Sequence, residues 1–341
     1  MKRVLYCLVT IVVLAGLMVG TSAAMPNPPT PTPAPKKIVL TAVTNFPLTN
    51  YNVDGFVHWA ELVNKRAKGE LEVVIKGGPE VVTAKESLPA LEGGMIDVLH
   101  FKQIGGPAIS LATDCAPVDF DTCFDIWRDK EFLSLMDKFY REKHNTVVLG
   151  DAGNTNLFHI GTTKKPVSKL EDLKGLRIRS HGGAAAVAVK KLGATAVKVP
   201  TAEVYIALQR GVVDGALRPL KSMFDLKEYE IIRHVVRPHV FQCTSMILIN
   251  QDAWNKLPTH SQNLLTDAVI EMGKWAHAYY ARFEKETVGT LQDKGVKFHS
   301  LSTEELSRWR GMLGKPLEDW YIKLAGPAGG AVLDIVKKYQ K

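Results

Sequence analysis

The stretch that determines the fold lies at residues 170–183 and reads LEDLKGLRIRSHGG. A turn ending at Gly175 precedes a short strand in which Leu176 and Ile178 alternate with polar residues. Arg179 closes the strand, and two glycines then lead into a helix. In an open α/β sheet, ligands bind at the carboxyl ends of the strands. A guanidinium fork and the free N–H groups of a helix start suit a carboxylate there, although an ordinary surface arginine fits the same residues.

The rest of the chain repeats this alternation of short strands and helices, which predicts the α/β class. The predicted strands are 38–43, 71–75, 96–101, 146–149, 157–160, 176–179, 196–199 and 246–249. The predicted helices between them are 55–68, 183–192, 202–209 and 220–229. Connections this short are typical of parallel sheets with helices on both faces, arranged in two similar lobes.

A much longer helix is predicted from Thr259 to about Lys294, because apolar residues recur there at spacings of three and four. Such a helix exceeds the diameter of one lobe, so we expect it to lie across two lobes as a shared strut. Two helices that break near Gly273 or Gly289 are the alternative.

The chain has 341 residues, of which 46% are hydrophobic and 23% charged. This composition is typical of a globular protein and excludes collagen-like, coiled-coil and wholly disordered chains. Because the length is about twice that of a usual domain, two lobes with separate cores are expected.

The N-terminus has the three parts of a secretory signal peptide over residues 1–24. Lys2 and Arg3 precede an apolar run, and small residues lead up to Ala24. An uncleaved signal anchor is the alternative, but the apolar run is slightly short for a membrane span. Residues 25–37 are rich in proline, which predicts a semi-rigid extended tether. We therefore expect export to the periplasm and cleavage of the signal peptide.

The positive charge of the chain does not point to nucleic acid. The net charge of +8 falls to +6 once Lys2 and Arg3 leave with the signal peptide. The remaining basic residues form no stripe, and an exported chain does not meet DNA, so nucleic acid is not an expected partner.

Three cysteines remain after the signal peptide. In an oxidising compartment Cys115 and Cys123 could close a short loop, which would leave Cys243 as a buried thiol. The Cα separation decides that pairing, and the sequence does not give it. No Cys-x-x-Cys motif or nearby histidine pair accompanies them, so we expect no metal site and no cofactor.

Catalytic signatures are scarce along the chain. The nucleophile elbow, the zinc-binding HExxH motif, the phosphate-binding loop and the dinucleotide fingerprint are all missing from the sequence. We expect a protein that is not an enzyme, since a secreted hydrolase would need a nucleophile or metal set that these residues do not supply.

Three segments together carry a resemblance to a known family. They read LEDLKGLRIR at 170–179, KLGATAVKVP at 191–200 and AEVYIALQRGVVDG at 202–215. The combination resembles the signature of TRAP-transporter solute-binding proteins, the DctP-type periplasmic receptors, over roughly residues 38–300. The resemblance implies a two-lobed periplasmic-binding-protein clamshell, with a long helix spanning both lobes and an organic acid bound in the cleft between them.

The resemblance also implies how the chain is divided and what it does. Lobe 1 would comprise residues 38–155 with about 244–283, and lobe 2 residues 156–243 with about 284–341. The protein would close on its ligand and deliver it to the permease subunits of a TRAP transporter in the membrane. A receptor for an ABC transporter or for a membrane sensor is the alternative, and residues 202–215 favour the TRAP type.

In this family an arginine at the end of the same strand pairs with the ligand carboxylate, which assigns that role to Arg179. Departures from the family pattern add two cations. Arg218 stands where an asparagine often contacts ligand, and Lys102 stands where some members have a small or acidic residue. Residues 157–159 read LFH where the family often has a second arginine. Three cations in the cleft would select a strongly anionic ligand, such as a dicarboxylate or a phosphorylated or sulfonated acid, unless Lys102 and Arg218 point to solvent.

The remaining candidates for ligand contact are weaker: Asn45, Phe46, Glu80, His159, His181 and Thr201. Asn45 and Phe46 follow the first strand at its carboxyl end, where turn and packing roles are equally usual. Glu80 also suits a helix cap or a permease contact, and single histidines are usually structural.

Overall fold

The computed structural model describes residues 37–102, 107–114 and 120–339, apart from the side chains of residues 154 and 155. These residues belong to one compact unit. The predicted signal peptide, the tether up to residue 36 and Cys115 lie outside the described residues. The disulfide between Cys115 and Cys123 therefore stays a prediction, and Cys123 is buried.

Ten strands and ten α-helices are present in this part of the chain. The strands are β1 Ile38–Thr44, β2 Leu71–Gly77, β3 Val98–Phe101, β4 Thr146–Thr162, β5 Arg177–Ser180, β6 Thr195–Lys198, β7 Gly215–Pro219, β8 His234–Arg237, β9 Phe241–Asn250 and β10 Lys297–Ser300. The helices are α1 Asp54–Arg66, α2 Ser87–Glu92, α3 Phe120–Ile126, α4 Lys130–His144, α5 Gly183–Lys191, α6 Val204–Gln209, α7 Leu220–Asp225, α8 Gln251–Asn255, α9 Thr259–Asp293 and α10 Thr303–Lys338.

The strands form a single mixed sheet in the order β2-β1-β3-β9-β4-β7-β5-β6, with β8 beside β4 and β10 beside β8. The outer pairs β1–β2 and β5–β6 are parallel, whereas β4 and β9 are antiparallel and lie in the middle. The sequence predicted parallel sheets, and this detail is wrong, because several of the strand pairs are antiparallel. The sheet is continuous because the two long central strands pair with each other in both halves.

β4 is one strand of 17 residues, where the sequence predicted two short strands at 146–149 and 157–160. The polar and glycine-containing run between them hides the alternation by which strands are recognised. The pairing with β9 is irregular inside that run and resumes after it. Gly153 permits the irregularity, since its φ is +76° and a Cβ there would lie 2.3 Å from the Cβ of Ala276 on α9.

The first half of the sheet follows the predicted pattern closely. Parallel strands β1 and β2 flank α1, whose Phe56, Trp59 and Val63 are fully buried. These side chains share a core with Leu71 and Val73 of β2. One face of α1 and alternate positions of β2 therefore build this core, as the two periodicities require.

α9 is a continuous helix of 35 residues. This confirms the predicted long helix and excludes the alternative of two helices. Leu265 and Met272 pack into the core beside α1, whereas Leu291 packs with Ala216 of β7 in the other half. One rigid element thus contacts both halves of the sheet.

The C-terminal helix α10 covers the opposite face of the sheet. Its Trp309 and Tyr321 are buried against the core formed with α4 and α5. The helix changes direction at Gly326, where φ is +66° and Pro327 follows. In the described ranges, no helix combines the length and the apolar character needed to cross a membrane.

Candidate functional site

Arg179 lies at the carboxyl end of β5 with only 1% of its side chain exposed. The chain leaves this strand through Gly182 and Gly183, whose positive φ values of 97° and 56° allow the turn into α5. The guanidinium Nε donates to the carbonyl oxygen of Val199 at 2.9 Å, and Nη2 donates to Thr201 Oγ1 at 3.3 Å. Both partners are neutral, so they orient the guanidinium without compensating its charge.

The electrostatics of Arg179 follow from this burial. Desolvation, and then repulsion from Arg218, lower its pKa to about 10, while Glu228 acts in the opposite direction. The side chain is therefore charged at neutral pH in a place that disfavours the charge. An anion that reached this guanidinium would relieve the penalty, and a bidentate carboxylate is the best-matched partner.

Arg218 at the end of β7 is also buried, but it has its own anion. Its Nε donates to Glu228 Oε2 at 3.1 Å. Its Nη2 lies 2.9 Å from Glu228 Oε1 in an ion-pair contact that lacks hydrogen-bond alignment. Burial raises the pKa of Glu228, and the attraction of Arg218 opposes that rise. Arg218 does not point to solvent, and its charge is neutralised within the protein.

Lys102 follows β3 directly and is half-buried. Asn45 fixes its backbone, because the Asn45 Nδ2 donates to the Lys102 carbonyl oxygen at 3.1 Å. The Lys102 Nζ lies 5.8 Å from the ring centre of Phe46 and 5.5 Å from that of Phe158. Within the described residues this ammonium makes no ion pair, so aromatic faces supply its closest favourable contacts.

His181 shows that these cations share one region. Burial, followed by the charges of Lys102, Arg179 and Arg218, lowers its pKa to about 3. The residue is nevertheless solvent-exposed. His181 is thus neutral at physiological pH and can donate or accept a hydrogen bond. We call Lys102, Arg179 and Arg218 the cation cluster, and His181 lies beside it.

Aromatic rings line the same region. Phe158 and Phe241 stand opposite each other on β4 and β9, with ring centres 5.7 Å apart. The His181 ring lies 5.2 Å from Phe158 and 6.0 Å from Phe241. Together with Phe46 beyond Lys102, these rings form what we call the aromatic wall.

The loop after β1 is held rigidly beside the cation cluster. Phe46 packs against His100, with ring centres 5.4 Å apart. The two ring nitrogens of His100 contact Thr44 Oγ1 at 2.9 Å and Ser245 Oγ at 2.8 Å. Asn45 is buried, and its Oδ1 has no hydrogen-bond partner among the described residues. That oxygen can accept a hydrogen bond from a ligand.

Two predicted site residues are occupied elsewhere. Both ring nitrogens of His159 have protein partners, Val236 O at 3.0 Å and Glu284 Oε1 at 2.9 Å. His159 therefore ties β4 to β8 and α9, and a ligand would have to displace one of these partners. Glu80 is exposed in the loop after β2, where its Oε1 accepts from Gly78 N at 2.7 Å. No described contact joins Glu80 to the cation cluster.

Three residues of this region escaped the sequence analysis as site residues: Glu228, Phe158 and Phe241. Glu228 lies in a polar surface-like segment, and nothing local shows that its carboxylate folds back onto Arg218. The two phenylalanines read as ordinary core residues of strands. Only the register of β4 with β9 brings them together.

Two further points concern the described chain as a whole, beyond this region. A surface hollow lies between Leu88, Phe139 and Leu324 and shares no residue with the cation cluster. Within the described ranges, no group of three or more His, Cys, Asp or Glu side chains is placed to hold a metal ion.

Comparison with known proteins identifies relatives of this chain. A family model described as bacterial extracellular solute-binding protein, family 7 (DctP), matches residues 43–324. The C4-dicarboxylate-binding periplasmic protein DctP of Rhodobacter capsulatus is 26% identical over 294 residues, which cover 83% of this chain and 85% of the relative.

Solved structures show the same fold. A TRAP periplasmic solute-binding protein from Rhodobacter sphaeroides has a TM-score of 0.81 at 21% identity, covering 89% of this chain and 100% of its own. One from Bordetella bronchiseptica, with bound (R)- and (S)-mandelate, has a TM-score of 0.70 at 23% identity, covering 89% and 98%. These similarities confirm the predicted α/β, two-lobed clamshell fold.

Proposed function

This chain belongs to the DctP family of bacterial extracellular solute-binding proteins, and from this premise we propose that it is the extracytoplasmic receptor of a TRAP-type secondary transporter. It binds an organic carboxylate between two lobes and delivers it to the permease subunits in the membrane. Relatives whose names or structures record C4-dicarboxylate and mandelate as ligands support a carboxylate as the solute.

The single observation that carries this proposal is the state of Arg179. It is buried and charged, and its two protein partners are neutral oxygen atoms. Arg218, whose charge acts on Arg179, has Glu228 to compensate it, whereas Arg179 has no such partner in the described residues. A buried uncompensated cation is costly unless an anion joins it, so Arg179 is the proposed carboxylate anchor.

In this proposal the other site residues contribute to ligand binding in different ways. Thr201 holds the guanidinium fork, Asn45 offers its Oδ1, and Lys102 supplies a second cation. Arg218 shapes the field around Arg179 without adding net charge, since Glu228 neutralises it. The number of cations open to a ligand is therefore two, fewer than the three that the sequence predicted.

The division into lobes is part of the proposal. Lobe 1 comprises residues 38–155 with about 244–283, and lobe 2 comprises 156–243 with about 284–341. The irregular pairing of β4 with β9 falls between Asp151 and Thr155, next to the first of these boundaries. Domain closure of this kind needs a few residues that absorb the change in backbone angles, and this irregular segment is the natural hinge.

Export completes the proposed function. The signal peptide predicted at 1–24 directs the chain to the periplasm. The protein acts there as a receptor without turnover, and its partner is the membrane permease.

The test is a thermal-shift screen of the purified protein against organic acids, followed by calorimetric titration of the best ligand. A ligand that binds only the folded state raises the melting temperature. Replacing a buried charged partner costs about 2–5 kcal/mol of binding, so Arg179→Ala should weaken binding by at least roughly thirtyfold.

Arg177→Ala is the matched control for this test. Arg177 lies two residues earlier on β5, is largely exposed and pairs with Asp214 at 2.8 Å, so its loss should leave affinity unchanged. Retained affinity in Arg179→Ala, or turnover of the ligand by the purified protein, would overturn the proposal.

A further inference from the structure

Two rings of the aromatic wall, Phe46 and Phe158, border the same member of the cation cluster. The Lys102 ammonium lies over the rings of both Phe46 and Phe158. Both rings therefore border the space that this ammonium occupies. Phe241 and His181 border that space through their contacts with Phe158.

The position of Lys102 is informative because a lysine usually pairs with a carboxylate. The carboxylate that it influences most directly is Asp114, which is buried and accepts from Thr244 N at 3.1 Å and from Thr244 Oγ1 at 3.4 Å. No ion pair joins Asp114 to Lys102 within the described residues. The ammonium instead rests between two rings, an arrangement that a planar group can also occupy.

The charges around this space restrict the ligand further. Arg218 is compensated by Glu228, so Arg179 is the buried cation that remains for the ligand. The nearby carboxylates are all engaged: Glu228 with Arg218, Glu284 with His159 and Asp114 with Thr244. Glu228 and Asp114 are buried and Glu284 is held by His159, so an ammonium would have to compete with these protein partners, which argues against amino acids and other zwitterions.

Resting on the proposed function, we infer that the solute is an aromatic monocarboxylate without a cationic group. Its carboxylate pairs with Arg179, and its ring lies against the faces of Phe46 and Phe158. Lys102 is displaced toward the edge of the ring, where it contacts the carboxylate or a polar ring substituent. Aromatic pairs of this kind favour a planar π face over a saturated ring of similar size.

The experiment compares benzoate with cyclohexanecarboxylate, which has the same charge and a similar size but no π face. Succinate tests whether a dianion binds, and phenylalanine tests whether a zwitterion binds. Calorimetric titration of the full purified protein should give benzoate at least tenfold tighter binding than each of the other three. Equal or tighter binding of cyclohexanecarboxylate or succinate would overturn the inference.

Two variants test where the ring of the bound ligand lies. Phe46→Leu and Phe158→Leu keep an apolar side chain but remove the flat face, so each should weaken benzoate about tenfold and change cyclohexanecarboxylate less than twofold. Phe46 is only half-buried, so its variant keeps the test valid if Phe158→Leu fails to fold. Phe139→Leu, on α4 beside the separate hollow, is the control and should leave both affinities unchanged.

The outcomes separate this inference from the function on which it rests. If aliphatic acids bind in an Arg179-dependent way and benzoate does not, the aromatic inference fails and the receptor function stands. If neither aromatic nor aliphatic acids bind through Arg179, both fail.

Discussion

Arg218 and Glu228 form an ion pair from which water is almost excluded, with 4% and 0% of their side chains exposed and a shortest contact of 2.9 Å. The pair joins the end of β7 to the segment after α7. It lies beside Arg179, whose pKa it influences in both directions. Glu228 therefore neutralises Arg218, whereas Arg179 is left without a carboxylate partner among the described residues.

The first prediction concerns this pair. Removing one partner of a buried ion pair leaves an uncompensated charge, which costs about 3–5 kcal/mol. We expect Glu228→Gln to lower the free energy of unfolding by that amount in denaturant titration. The double variant Arg218→Met/Glu228→Gln should recover most of the loss, because it removes the orphaned charge. Glu230→Gln, at an exposed position nearby, is the control and should not change the free energy of unfolding measurably. A double variant as unstable as Glu228→Gln alone would contradict this explanation.

The second prediction concerns Tyr51, whose hydroxyl donates to Asn156 Oδ1 at 2.6 Å while its ring stacks on Phe283. The Nδ2 of Asn156 has no hydrogen-bond partner in the described part of the chain. Tyr51→Phe keeps the stacking but leaves the other end of this buried amide unpaired as well. Stability should fall by about 1–3 kcal/mol.

The control for Tyr51→Phe is Tyr205→Phe. The Tyr205 hydroxyl donates to Glu230 at 2.7 Å on the surface, where water can replace it. Its removal should leave the melting temperature unchanged. Equal losses in the two variants would show that burial of the Asn156 amide is not the cause.

The third prediction concerns pH. Burial raises the pKa of Asp114 to about 6 from an ordinary value of 3.8. Because the folded-state pKa is the higher one, the stabilising contribution of Asp114 is complete below about pH 4 and is lost as the pH rises through 6. The loss amounts to about 3 kcal/mol, at 1.36 kcal/mol per pKa unit.

The measurement compares the wild type with Asp114→Asn, which can still accept from Thr244. Subtracting the two unfolding free energies at each pH removes the contributions of His100 and His181, which titrate in both proteins. The difference should fall by about 3 kcal/mol between pH 3 and pH 7. A difference that stays constant over this range would rule out a raised pKa at Asp114.

Sequence reasoning succeeded where a local pattern carries the information. The turn, strand and glycine-led helix around Arg179 are properties of neighbouring residues, and the repeat along α9 extends over many turns. Both features appear in the structure as predicted. Strand β4 was read as two because its middle is polar. The short strands β8 and β10 were missed because four residues carry too little periodicity.

The candidate site was less predictable because its properties depend on distant partners. Arg218 was expected to add a third cation, but Glu228 reaches it only after α7 has turned the chain back. His159 was considered as a ligand contact, but it bonds to Glu284, 125 residues away. The aromatic wall likewise depends on the register of β4 with β9. None of these relationships leaves a trace in local sequence.

The last prediction compares Gly273 with Gly289, the two glycines at which the sequence left open a break in α9. A Cβ at Gly289 would meet nothing within 4 Å, whereas a Cβ at Gly273 would lie 2.1 Å from Nη2 of Arg128. Arg128 is held there by the ring of Phe124, 3.2 Å from its guanidinium carbon, and by the charge of the buried Asp151. Gly289→Ala should therefore stabilise the protein by about 0.5–1 kcal/mol through helix propensity.

Gly273→Ala gains the same propensity, but it forces the Arg128 guanidinium to move, which disturbs its charge interaction with Asp151. Since Asp151 would then be a buried charge with a weaker partner, the variant should be less stable than the wild type. Thermal denaturation of the two variants side by side tests this, because they make the same substitution in the same helix. Stabilisation by both would mean that Arg128 moves aside without cost and that its charge interaction with Asp151 contributes little.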